Sequence, residues 1–144
     1  MIRHTEPTGD ELDAVTLLRA AKLRPTRQRR ALAELLLGHG NRHVTAELLH
    51  EEARGAGVKV SLATVYNTLH QFTDAGLLRE LVVDSGRAYF DTNTDHHHHF
   101  FDEDTGALTD IPGDSVALGS LPRTPEGRQI SRVDVIVRVR GSRD

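Results

Sequence analysis

The stretch DHHHHFFDED (95–104) sets four consecutive histidines between an aspartate and two phenylalanines followed by three acids. Imidazole and carboxylate together are a donor set for divalent transition metals, so metal ligation is the chemistry this stretch offers. The run lies inside a chain of 144 residues, which separates it from a terminal expression tag. On a strand, successive side chains face opposite sides, so His97 and His99 share one face and His96 and His98 the other. One strand can then feed two metal sites, or one site and its supporting shell. A polar strand edge with no ligand is the plain alternative. Four adjacent imidazoles with carboxylates nearby weigh against it.

Composition removes several other chemistries. The chain has no cysteine, which excludes disulfides, thiolate metal sites and cysteine nucleophiles. At 38% hydrophobic it has material for one core or two small ones. The opening MIRHTEPTGDELDAV carries charges where a signal peptide needs an apolar segment, and LLL at 35–37 is far too short to cross a bilayer. A cytoplasmic protein without a membrane partner is expected. The net charge of −3 is uneven: residues 1–91 carry 12 basic and 12 acidic residues, residues 92–144 carry 6 and 9. Arg19, Lys22, Arg24, Arg27, Arg29 and Arg30 follow one another with no acid between them. Such a block is either a solvated helix face or the footprint of a phosphate backbone.

The elements that must position these groups follow from periodicity. DELDAVTLLRAAK (10–22) has helical spacing, opened by acids and closed by bases, and Arg24-Pro25 breaks it. Thr26 caps a second helix that stops at Gly38 and Gly40. Thr45 caps a third, ended by GAG (55–57), and Ser61 caps a fourth with Gly76 just past its end. In the fourth, Val65, Leu69 and Phe72 point inward, leaving Thr64, Asn67 and His70 outward with Tyr66 beside them. LLRELVV and RAYFD then read as strands joined by the turn Asp84-Ser85-Gly86. Helices followed by a hairpin is the order of a winged helix, whose last helix before the hairpin enters the DNA major groove. A helical domain with a plain β-ribbon is the alternative. Beyond the connector TNTD (92–95) come the strand HHHFF, the turn DEDTG, the strand ALTDI and a valine-alternating strand through Val133, Val135, Val137 and Val139. Between the last two, a segment with three of the five prolines supports only a short helix. About fifty such residues are marginal alone, so a homodimer through this part is expected.

LRPTRQRRALAELL (23–36), HVTAELLH (43–50), SLATVYNTLHQFTDAGLL (61–78) and FDTNTDHHHHFF (90–101) resemble, in order and over nearly the whole chain, the ferric uptake regulator (Fur) superfamily. The absence of cysteine, the HHHFF run and the ending RVDVIVRVR resemble its iron response regulator branch. The resemblance implies an α+β protein: a winged-helix DNA-binding domain over 1–91, a hinge over 92–95, and a small α/β dimerisation and metal-binding domain over 96–144. Carried over residue by residue, the regulatory metal site falls on His43, Asp91, His97 and His99, one residue being deleted before the histidines relative to many members. His96 and His98 would face a second metal or haem site, which Arg132 or Val133 leaves short of a histidine. Where many members hold zinc with paired CxxC motifs, Asp102 and Thr105 stand instead.

On the DNA side the resemblance puts Tyr66 in the recognition helix, with Asn67 where many members have Arg; an Asn can pair with adenine. Ser61, Thr64 and Arg27 complete the expected DNA contacts. The expected function is a homodimeric, metal- or haem-responsive repressor of iron homeostasis genes, binding a double-stranded operator with an inverted repeat. The cofactor is Fe(II), Mn(II) or Zn(II), or haem held by histidine. Peroxide, zinc or manganese sensing is the alternative within the family. A metalloenzyme lacks a general base beside an open coordination position and leaves the helix before the hairpin unexplained, and a metal-storage protein with no DNA role is a third class. No enzyme activity is expected.

Overall fold

The computed structural model of the chain describes residues 9–37, 39–84 and 87–142. They fall into two compact units that divide between Thr94 and Asp95.

In the first unit, α1 (Gly9–Ala20) ends with Lys22 in the left-handed region (φ 62°) and the Leu23 amide donating to the Leu18 carbonyl at 2.8 Å. Pro25 follows. Then α2 (Arg27–Leu36), α3 (Ala46–Gly55) and α4 (Leu62–Asp74) each begin as the sequence indicates. The Thr26, Thr45 and Ser61 hydroxyls accept from the amides of Arg29, Leu48 and Thr64 at 3.1–3.2 Å. Each cap satisfies a donor the helix cannot, worth about 1 kcal/mol. Gly76 takes φ 83° past the end of α4, and the Leu77 amide bonds back to Phe72, a closure that disfavours any residue with a Cβ. Gly38 and the Ser85-Gly86 turn lie outside the described residues.

The sheet of this unit has the order β1 (His43–Val44), β3 (Arg87–Asp91), β2 (Arg79–Asp84), all antiparallel. Leu18, Leu32, Leu36, Val44, Leu49, Val65, Leu69, Phe72 and Phe90 form one fully buried core beneath the hairpin and the helices. This is a winged helix. The inward stripe of α4 leaves Asn67 and His70 exposed and Thr64 and Tyr66 half-buried.

In the second unit β4 (His97–Asp102) is central, antiparallel to β5 (Leu108–Pro112) and parallel to β6 (Ile136–Val139). The DEDTG turn is closed by carboxylates: Asp102 Oδ1 accepts from the amides of Asp104 and Thr105, and Asp104 Oδ2 from the Gly141 amide at 2.8 Å. The proline-bearing segment yields a 3-10 turn at Gly113–Ser115 as the one helical element of this unit among the described residues.

The valine alternation overstates the last strand, which holds four residues rather than the whole run from Val133. β4 offers this edge only His99–Asp102, and at Val135 the amide donates to the His98 ring at 3.0 Å instead of to backbone.

Candidate metal centre

Two sets of donor side chains are built, one in each unit. In the first, the β1–β3 ladder sets His43 directly opposite Asp91. His43 Nε2 lies 3.2 Å from Asp91 Oδ2, while Asp91 Oδ1 accepts from the Asn93 amide at 2.9 Å. Asp91 is fully buried. A buried carboxylate needs its oxygens satisfied, and here one is held by an amide and the other is aimed at an imidazole.

In the second unit the β4 alternation brings His97 and His99 to one face, their rings 4.6 Å apart between centroids. The β4–β5 register adds Asp110 opposite His99. His97 Nε2 and His99 Nε2 are 3.1 Å apart, and Asp110 Oδ1 is 3.3 Å from the first and 3.4 Å from the second. Both histidines are buried. His97 Nδ1 donates to the Asp95 carbonyl, which leaves its Nε2 lone pair facing the other two donors.

These distances test whether the residues fit an ion. Donors bound at about 2.1 Å with tetrahedral or octahedral angles sit about 3.0–3.4 Å from one another. The three donors of the second unit meet that spacing with the centre between them. Two imidazoles and a carboxylate suit Fe(II), Mn(II) or Zn(II) and not Cu(I).

Asp110 escaped the sequence reading, because its place across from His99 depends on strand register. The only signal was an acid inside the otherwise plain strand ALTDI. His96 and His98 take the other side. His96 is exposed and packs edge-to-face on the buried His98 at 5.1 Å, and His98 Nδ1 accepts the Val135 amide. No third histidine or acid joins them in a ligand cluster among the described residues.

On the prospective DNA side, Ser61 and Thr64 are tied to each other, Oγ to Oγ1 at 2.9 Å, at the start of α4. Tyr66 stacks on His70 and Asn67 projects from the exposed face. Arg27 lines a cleft with Gln28, Ala31, Gly57, Val58 and Lys59, two cations and no acid.

The profile of the ferric uptake regulator family matches residues 20–135, the span that carries the winged helix and all five donors. The chain belongs to this family. It is a Fur-family transcription regulator of the metal-responsive kind and not an enzyme. The ferric uptake regulation protein of Klebsiella pneumoniae is 36% identical over 107 residues, 74% of this chain and 69% of that one. The peroxide-responsive repressor PerR of Staphylococcus aureus is 33% identical over 99 residues, 69% of this chain and 66% of that one. The structure of the ferric uptake regulator from Pseudomonas aeruginosa with manganese superposes with a TM-score of 0.69 at 27% identity, covering 90% of this chain and 98% of that one. No helix among the described residues of this Fur-family chain is long and apolar enough to cross a membrane.

Proposed function

We propose that this Fur-family chain is a cytoplasmic, iron-responsive repressor of the iron response regulator kind, and that one divalent ion joins its two donor sets. The ion takes His43 and Asp91 from the first unit and His97 and His99 from the second, with Asp110 as a further ligand. The observation that carries this reading is the spacing of His97, His99 and Asp110. Neither set alone fills a coordination sphere, so an ion that draws on both fixes one arrangement of the units and thereby the arrangement of two recognition helices in a dimer. The spacing favours a bare ion over haem, whose axial ligands stand on opposite faces of the ring rather than on one side of the iron. The absence of cysteine, the HHHFF run and the RVDVIVRVR ending support the iron response regulator branch. Likeness to a peroxide-responsive repressor supports the second reading, peroxide sensing with the same ligands. Operator binding titrated with Fe(II), Mn(II), Zn(II) and haem separates these readings.

The dimer follows from the second unit. Phe101 and Ile111 are its only buried hydrophobic residues among those described, whereas Phe100, Leu118, Leu121, Val137 and Val139 are more than a third exposed. So little core holds about fifty residues only when a second copy covers that surface. Sedimentation should show a homodimer at micromolar concentration, and log affinity for an inverted-repeat operator should fall linearly with log salt as counterions are released. A monomer, or binding indifferent to salt, contradicts the proposal.

Contacts on the DNA side divide by kind. Asn67 and Tyr66 lie on the α4 face that enters the major groove, so their alanine variants should flatten sequence preference, by about 1–3 kcal/mol for a good base contact. Arg27, in its cationic cleft with Lys59, would meet phosphate, so Arg27→Ala should weaken all sequences alike. Competition binding across single-base operator variants checks both. Unchanged preference in Tyr66→Ala would move the reading helix elsewhere.

A further inference from the structure

We infer that Arg42 is a positioning residue for the His43–Asp91 donor pair and ties that pair to α3, the helix that supports α4. The inference rests on the proposed metal reading and adds a residue to it. A strand of two residues holds little by itself, yet β1 must keep His43 facing Asp91. Arg42 supplies what the strand lacks. Its carbonyl accepts from the Thr92 amide at 3.0 Å, and its own amide donates to Thr92 Oγ1 at 2.8 Å. These bonds add a rung beyond His43 and Asp91, so the donor pair is bracketed by Arg42–Thr92 on one side and Val44–Phe90 on the other.

The side chain anchors that rung to two helices. Arg42 Nη1 donates to the Leu35 carbonyl at 2.8 Å, one of the α2 carbonyls that the helix leaves without a partner. A cation there also suits the helix dipole. The same guanidinium forks onto Glu52 of α3, at 3.1 Å to Oε1 and 2.6 Å to Oε2. Both side chains are only 22% and 31% exposed, so this is not a solvated surface pair. A planar fork on a carboxylate fixes direction as well as distance, which Lys cannot reproduce. Glu52 neighbours Ala53, which shares the core with Val65 and Leu69 of α4. A shift of His43 on metal binding therefore pulls on α3 and reaches the helix that reads DNA.

The test is Mn(II) titration of the full chain, followed by operator binding with and without Mn(II), for wild type, Arg42→Ala, Arg42→Lys, Glu52→Ala and the double alanine variant. Metal-free thermal unfolding is recorded alongside. Glu52→Ala places a good helix former at a half-exposed helical position, so it keeps the fold even where Arg42→Ala does not. Arg42→Ala and Glu52→Ala should each lose about tenfold in Mn(II) affinity, the scale of outer-shell partners, and should shrink the metal effect on DNA binding. Arg42→Lys should fall between, and the double variant should be no worse than Arg42→Ala. Folded variants with wild-type Mn(II) affinity and wild-type metal effect overturn the inference alone. A wild type that takes up no Mn(II) overturns the metal reading and this inference together.

Discussion

Replacing His43 or His99 by alanine is expected to abolish the effect of added Mn(II) or Fe(II) on operator binding, whereas His96→Ala leaves it in place. A ligand moves a conformational equilibrium only through its different affinity for the two states. In the proposed arrangement that difference arises because one ion draws donors from both units. Without His43 the first unit keeps one donor, and without His99 the second loses its central one, the ring opposite Asp110. The ion then binds one unit, with equal affinity whatever the arrangement, and coupling disappears. Couplings between sites are ordinarily 1–3 kcal/mol, so wild type should show about a 5–150-fold change and the variants none. His96 is exposed, on the other side of β4 from the donors, and has no part in them. The measurement is a DNA-binding titration against metal for the three variants and wild type. Loss of response in His96→Ala with retention in His43→Ala would reverse the assignment of faces and end the clamp.

Lowering pH from about 7.5 to 5.5 should cost the chain at least ~100-fold in metal affinity, because each imidazole ligand must shed a proton before it can coordinate. With three imidazole ligands the limiting slope is about three log units per pH unit once the metal-free rings are protonated. The sign is fixed by competition. Protons and the ion want the same lone pairs, and affinity rises with pH until the rings are neutral. Equilibrium Mn(II) binding at a series of pH values reads the slope directly. Affinity flat across the interval would mean that Asp91 and Asp110 hold the ion without the histidines.

Local rules made most of the first unit legible. Thr26, Thr45 and Ser61 could be placed as caps because a cap is decided within three residues, and Gly76 because glycine takes the left-handed closing turn at the least cost. The pairing of His97 with His99 was equally local, a matter of strand alternation. What escaped depends on register between distant segments. Asp110 becomes a donor only because β5 pairs with β4 in one alignment, and Arg42 acquires its role only when Thr92, fifty residues on, lies beside it. The overlong reading of the last strand has the same origin: alternation tells which residues can form a strand, but the register of pairing decides how many do, and at Val135 the amide goes to the His98 ring.

The carboxylate-closed turn at Asp102–Thr105 carries a consequence for how such a regulator lives in a cell. Where a fold is stapled by zinc held on thiolates, its supply depends on the zinc pool, and oxidants can release the staple. Here the same stretch is shut by main-chain amides meeting Asp102 and Asp104, groups that neither chelators nor peroxide remove. A chelator wash should therefore remove the effect of metal on operator binding while leaving each unit folded. Thermal unfolding of the second unit should accordingly change little when metal is withdrawn.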